Sequence, residues 1–333
     1  MFQVTTVTST STTAPGSGLD ALKVPTLPTP AEIREGYQLR LSVPPARAGE
    51  TIRADLKVAA EQEPPRSEQL IEVLKEIPSI AYLYSQDARI MERYSIEEHT
   101  AMVLRQLDRY LANPLIPLPL PLSTIRLAGA VHDIGKPLPD QKSDQHASTL
   151  QVIDSIRTIL PWIPVEERAI TRSLIQNDPI GKLVVSSLAK QATIEERRAI
   201  AAVAAERQLT FTELATFASL VSVKAPGEVT EQIEAAATNI LERANMLGVD
   251  PLQLFNLHVL FYQADTSAYT YDAVAPSGRR ASPGLDFIYQ LQPAGAGLQF
   301  LVRDESRGLI RFSPAVEKLI QTLEEEISRR RTQ

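Results

Sequence analysis

The chain has 333 residues, 40 acidic against 34 basic side chains for a net charge of -6, and no cysteine. Without thiols there can be no disulfide framework, thiolate zinc site, iron–sulfur cluster or cysteine nucleophile, so any metal must be held by nitrogen and oxygen. The mild acidity argues against a general nucleic-acid binder, which needs a basic surplus to neutralise phosphates, and the 44% of apolar residues suits a soluble globular protein with a sizeable core.

Residues 1 to 18 contain nine Ser or Thr and no charge, unlike a secretory signal or a transit peptide, so a cytoplasmic protein with a flexible start is expected. Eight of the 24 prolines fall within residues 1–66, and between 19 and 66 seven basic charges cancel seven acidic ones. That composition predicts a disordered leader over 1–66, because such a segment buries too little apolar area to offset its ordering entropy. The alternative is that "YQLRLSVPP" and "GETIRADLKVA" pair as short strands.

From Ser67 the apolar spacing turns helical. "SEQLIEVLKEI" has Ser67 as a candidate N-cap and Leu70, Ile71 and Leu74 on one face. In "SIEEHTAMVLRQLDRYLAN", Ser95 followed by Glu98 makes a capping box, and Ile96, Val103, Leu107 and Tyr110 recur at helical intervals. The apolar run Leu111 to Leu122 is broken by four prolines and predicts a loop, not a membrane helix of the usual ~20 residues. "STIRLAGAVHDIG" follows, with Ser123 as cap and Gly135 as stop. Further helices are predicted at about 143–160, 164–176, 179–189, 193–206, 210–223, 228–247 and 251–270. The chain then changes character: "GLDFIYQLQ", "GLQFLVR" and "GLIRFS" predict an antiparallel β meander over 284–313, burying Phe287, Tyr289, Phe300 and Val302. Pro314 opens a last charged helix. The expected organisation is a leader (1–66), a helical domain (67–275) and an accessory meander with a terminal helix (276–333), mainly α in class.

Only four histidines occur: His99, His132, His146 and His258. His132 and Asp133 stand side by side at the end of a helix that is apolar nearly all round, through Ile125, Leu127, Ala128 and Val131. That position points them inward, and a buried carboxylate is normally paired or on a metal. "HDIGKP", together with His99 placed 33 residues before His132 and Asp265 in "LFYQADTSA", resembles the HD-domain metal-dependent phosphohydrolase superfamily over about residues 67–270. The resemblance implies an HD-type helical bundle with His99, His132, Asp133 and Asp265 as metal ligands. Two imidazoles and two carboxylates suit a divalent Mn, Fe, Co, Ni or Mg ion that activates a water to hydrolyse a phosphate ester.

His146 lies where members with a second metal carry another His, yet "LIQNDPIGK" offers Asn177 and Asp178 where further imidazoles would be wanted. His146 is therefore either a neutral group or general acid at the substrate, or an ordinary helix N-terminal histidine. His258, seven residues before Asp265, reads as a core histidine or one supporting a ligand. Lys136, next to Gly135, is either a phosphate-binding point charge or a solvated lysine. Arg93, Arg105 and Arg126 flank the ligand helices and carry little weight. The substrate expected is a small phosphorylated molecule such as a nucleotide; membrane and nucleic-acid partners are not expected. The competing reading is a catalytically inactive HD-like signalling or scaffolding module that binds a protein.

Overall fold

The structure is a computed structural model that describes residues 27–63, 65–88, 94–112, 117–140, 145–159, 162–189, 228–268, 301–304 and 309–332. It is mainly helical, and its first two helices lie inside the expected leader. α1 (Pro30–Leu41) opens on a capping box: Thr29 Oγ1 accepts the Glu32 N–H at 3.3 Å, and Glu32 accepts the Thr29 N–H at 2.7 Å. Pro30 takes the first helical position, where its missing N–H is no loss. α2 (Gly49–Glu61) follows. Ile33, Tyr37, Ile52 and Leu56 are all buried, which corrects the strand pair and, over residues 27–63, the disordered leader; residues 1–26 of that leader lie outside the described residues. The composition argument fails because a segment need not build a core alone; it needs one apolar stripe that neighbouring helices complete.

α3 (Ser67–Leu74) begins one residue earlier than predicted, with Arg66 rather than Ser67 in the cap position. α4 (Pro78–Tyr84) leads to a single antiparallel bridge, Asp87 with Ser95. That bridge aims the chain into α5 (Ile96–Leu111), whose Ser95–Glu98 capping box is present as predicted. α6 (Leu122–Val131) starts after Pro121, so Ser123 is not its cap, and it ends at Val131, before Gly135. α7 (Gln145–Ile156) runs into a 3-10 turn (Arg157–Ile159), and α8 (Val165–Gln176) and α9 (Pro179–Ala189) follow.

α10 (Glu228–Leu247) and α11 (Pro251–Ser267) are joined by a tight turn. Gly248 there has φ 68, and Val249 N–H closes back on Ala244 O at 3.0 Å, the helix stop that glycine permits without strain. Asp250 then caps α11 through the N–H groups of Leu252 and Gln253. The helices predicted at 193–206 and 210–223 lie outside the described residues.

Of the meander, the described residues contain a hairpin, β1 (Leu301–Asp304) and β2 (Leu309–Phe312), with Leu301 opposite Phe312 and Arg303 opposite Ile310. The first predicted run and Phe287, Tyr289 and Phe300 lie outside the described residues. Leu301, Ile310 and Phe312 are buried, whereas Val302 is only partly so. Since side chains alternate along a strand, the expected face is wrong by one residue. α12 (Pro314–Arg331) closes the chain, capped by Ser313.

Two apolar clusters result. The larger takes residues from α1 to α8 and from one side of α11; the smaller joins α9, α10, the hairpin and α12 around Phe255 of α11. The C-terminal segment therefore shares its core with α9, α10 and α11. Among the described residues no helix is long and apolar enough to cross a membrane.

Candidate metal centre

His99 sits in the first turn of α5, directly after the capping box, and is completely buried. His132 ends α6 with helical backbone angles, and its Nδ1 lies 2.8 Å from Gly129 O. A carbonyl only accepts, so that bond places the proton on Nδ1 and leaves the Nε2 lone pair facing inward. Tyr84 O–H holds the same helix end through Ala130 O at 2.7 Å. Beyond it the chain makes successive tight turns, among them Lys136 N–H to Asp133 O at 2.9 Å. Turns of this kind bring side chains three apart onto one side, and Lys136 Nζ stands 2.8 Å from Asp133 Oδ2.

Gly135 is required at this bend, because a Cβ there would fall on the backbone of Ser148 and Thr149 in α7. Its N–H donates to Thr149 Oγ1 at 3.1 Å, which ties the bend to α7.

The last turns of α11 bring Asp265 to the same point. His99 Nε2 is 3.1 Å from Asp265 Oδ1 and 3.4 Å from Asp133 Oδ2. His132 Nε2 is 3.7 Å from each of these oxygens. The two rings lie 5.4 Å apart, and Phe261 meets the His132 ring edge-on at 5.7 Å. His99, His132 and Asp133 offer one ligand atom each within 4.8 Å of one another, a group able to hold a metal ion. Metal bonds of about 2.0–2.2 Å at right or tetrahedral angles separate neighbouring ligand atoms by roughly 3.0–3.5 Å, close to the spacing seen here. His132 Nε2 and Asp265 Oδ1 are buried with no well-aligned hydrogen bond among the described residues, only the ion-pair approaches just given, an arrangement that is costly unless something else satisfies them. The donor set and its unsatisfied atoms thus fit a divalent cation.

The cluster is also electrostatically tight. Burial works against the charge on Asp133, but Lys136 and the two imidazoles outweigh it and hold its pKa well below the ordinary carboxylate value. Burial opposes charge on Asp265 too, and its contacts to His132 and His99 reverse the sign and lower its pKa. For His132, burial is overcome by the two carboxylates and the Gly129 carbonyl, which raise its pKa. Lys136 likewise stays charged despite burial, chiefly through Asp133.

His132, Asp133 and Asp265 open onto a cavity of about 170 Å³ that also takes in Lys136, Gln145, His146, Asn177, Asp178, His258, Phe261 and Tyr262. His146, at the start of α7, lines it; burial lowers its pKa more than the Asp133 charge and a backbone contact to Ile175 raise it. His146 is not part of the metal-competent group among the described residues. Asn177 Nδ2 is committed to Asn239 Oδ1 at 2.5 Å, and Asp178 Oδ1 accepts the Gly181 N–H at 2.7 Å. Five of the six sequence-predicted site residues thus line one cavity, and His99 lies buried behind them against Asp133 and Asp265.

Phe261 and Tyr262 were not foreseen, though they could have been found at three and four residues past His258 on the Asp265 face of α11; Asp178, which stands where the resemblance wants a further imidazole, does line the cavity. The flanking arginines do other work: Arg105 pairs with Glu68, and Arg126 is buried against Asp108, Glu63 and the Ala60 carbonyl. Arg93 lies outside the described residues. Comparison with protein-family models, with curated proteins and with solved structures found no match.

Proposed function

We propose that the protein is an HD-type, metal-dependent phosphohydrolase of the cytoplasm that cleaves a small phosphate ester, a nucleotide or a related molecule. The observation that carries this reading is the convergence of two imidazoles and two carboxylates from α5, the end of α6 and α11 beside a polar cavity and a part-buried lysine. A divalent ion bound there would supply Lewis acidity and lower the pKa of an attacking water.

The chain supplies the rest. Gly129 fixes the His132 tautomer so that Nε2 stays available as a ligand. Lys136, held charged within reach of Asp133, offers its ammonium to the non-bridging phosphoryl oxygens, whose charge grows during the transfer. His146, neutral at pH 7 by its lowered pKa, donates a hydrogen bond to the leaving oxygen. The core side chains around α6 exclude bulk water from the ligand end, which strengthens each of these contacts.

The alternative, an inactive HD-like module binding a protein, is favoured by one observation: Lys136 already neutralises Asp133 without any ion. Loading the protein in turn with Mn, Fe(II), Co, Ni and Mg and screening phosphomonoesters for phosphate release decides between them. Release is expected, and Lys136→Ala should lower kcat/KM about 10- to 100-fold, as loss of a charge-assisted contact does, with metal content and circular dichroism unchanged. A metal-loaded wild type that releases no phosphate from a broad panel would favour the inactive module.

A further inference from the structure

His258 is 3% exposed, its Nε2 is buried with no hydrogen-bond partner among the described residues, and it lines the same cavity as the ligands. On α11, His258, Phe261, Tyr262 and Asp265 fall at i, i+3, i+4 and i+7, so they share one face. Seven residues of helix span about 10 Å, and all four of these residues line the cavity, so it is in contact with α11 from Asp265 to His258. Asp178 lies beside Tyr262, which stands one turn past His258 on α11: a Cβ on Gly181 would meet both the Asp178 carboxylate and the Tyr262 ring, and the Asp265 charge also reaches Asp178.

No lysine or arginine other than Lys136 lines the cavity among the described residues. Arg243, the nearest cation to affect His258, is engaged with Asn239 and Ser173. Burial first, and Arg243 second, lower the His258 pKa to about 3, so its imidazole is neutral and offers a donor or an acceptor, not a charge. The His258 end of the cavity is therefore suited to uncharged hydrogen-bonding groups, flanked by aromatic carbon, while the remaining nearby cation, Lys182, acts on Asp178 and His146 rather than on His258. Its volume of about 170 Å³ lies below the ~300–1,000 Å³ of pockets for drug-sized ligands.

We propose that His258 and Asp178 form a recognition subsite for the uncharged, hydroxylated alcohol part of a small phosphomonoester, which makes small sugar phosphates the ligand class of this site. The inference rests on the reading that the phosphoryl group occupies the ligand end. His258 hydrogen-bonds a hydroxyl through its buried nitrogen, Asp178 accepts from a neighbouring one, and Phe261 and Tyr262 cover the carbon skeleton. A buried polar group built for such a bond penalises an analogue that lacks it.

The test compares ribose 5-phosphate with n-pentyl phosphate, which has the same number of carbons and no hydroxyls on the chain, and with inorganic phosphate. Binding to the metal-loaded protein is measured by calorimetry and hydrolysis is measured in parallel. Wild type should bind ribose 5-phosphate at least tenfold tighter than n-pentyl phosphate. His258→Phe and His258→Gln, checked for folding by thermal melts, should lose all or part of that preference while their affinity for inorganic phosphate stays unchanged. A wild type that does not distinguish the two esters overturns the subsite without recourse to any variant, and so does a folded His258→Phe that keeps the preference. Discrimination in binding with no hydrolysis would leave the subsite standing and overturn the phosphohydrolase instead.

Discussion

Asp178 pits two local effects against each other. Burial pushes its carboxyl up to about 6, the Gly181 N–H works the other way, and the Asp265 charge adds to the rise. A carboxyl whose pKa is higher folded than unfolded contributes fully below about 4, and that contribution is lost as pH rises through about 6. Asp178→Asn keeps an acceptor for the Gly181 N–H and removes the charge. In protein freed of metal by chelation it should therefore be more stable than wild type at pH 7.5, by up to about 3 kcal/mol, and equal to it at pH 4; thermal melts at the two pH values check this. The inward position of His132 and Asp133 was legible in the sequence because the doublet ends an apolar helix, and both are buried; His99 and Asp265 were singled out only through the resemblance. The burial of Arg126 was not legible: nothing local separates an exposed arginine from one buried on Asp108 and on the end of α2.

At the scale of elements, the N-terminal helices are the main departure from expectation. Thr29-Pro30-Ala31-Glu32 holds a complete start signal, a capping box with proline at the first position, yet the local density of prolines reads as disorder when only composition is weighed. The helices are fixed from several sides. Arg34 donates to Leu138 O at 2.8 Å, just past the metal-ligand bend. Tyr37 O–H meets Ser155 of α7, and Arg126 holds the C-terminal end of α2. Ile33, Ile52 and Leu56 are buried at 3% exposure or less, each worth about 1.5–3 kcal/mol. Deleting residues 1–60 should therefore lower the melting temperature by more than ~5 °C or prevent folding; a melt that stays within a degree or two would show that α1 and α2 are dispensable. Helix existence was legible through most of the rest because apolar periodicity reports it directly. The face of β1 was missed because a four-residue strand gives alternation too little length to fix its phase.

Across the whole molecule, the ligand set joins segments far apart in sequence, and α11 links it to both apolar clusters, with Phe255 in one and Phe261 in the other. The C-terminal hairpin is tied in beside the ligands: Gln263 and Tyr110 both donate to Ile310 O, and Tyr110 O–H also meets Ser267 Oγ. The motif marked the clustered His and Asp residues, but the wall of the cavity beside them is set by how α7, α8, α9 and α11 assemble, which no local pattern encodes. The central claim is that His99, His132, Asp133 and Asp265 hold a divalent ion. Elemental analysis of the purified, gel-filtered protein after loading tests it most directly. Close to one ion per chain is expected in wild type and a loss of it in folded His132→Ala and Asp133→Ala, since metal affinity depends on each ligand of such a set; unchanged metal content in both variants would contradict the assignment.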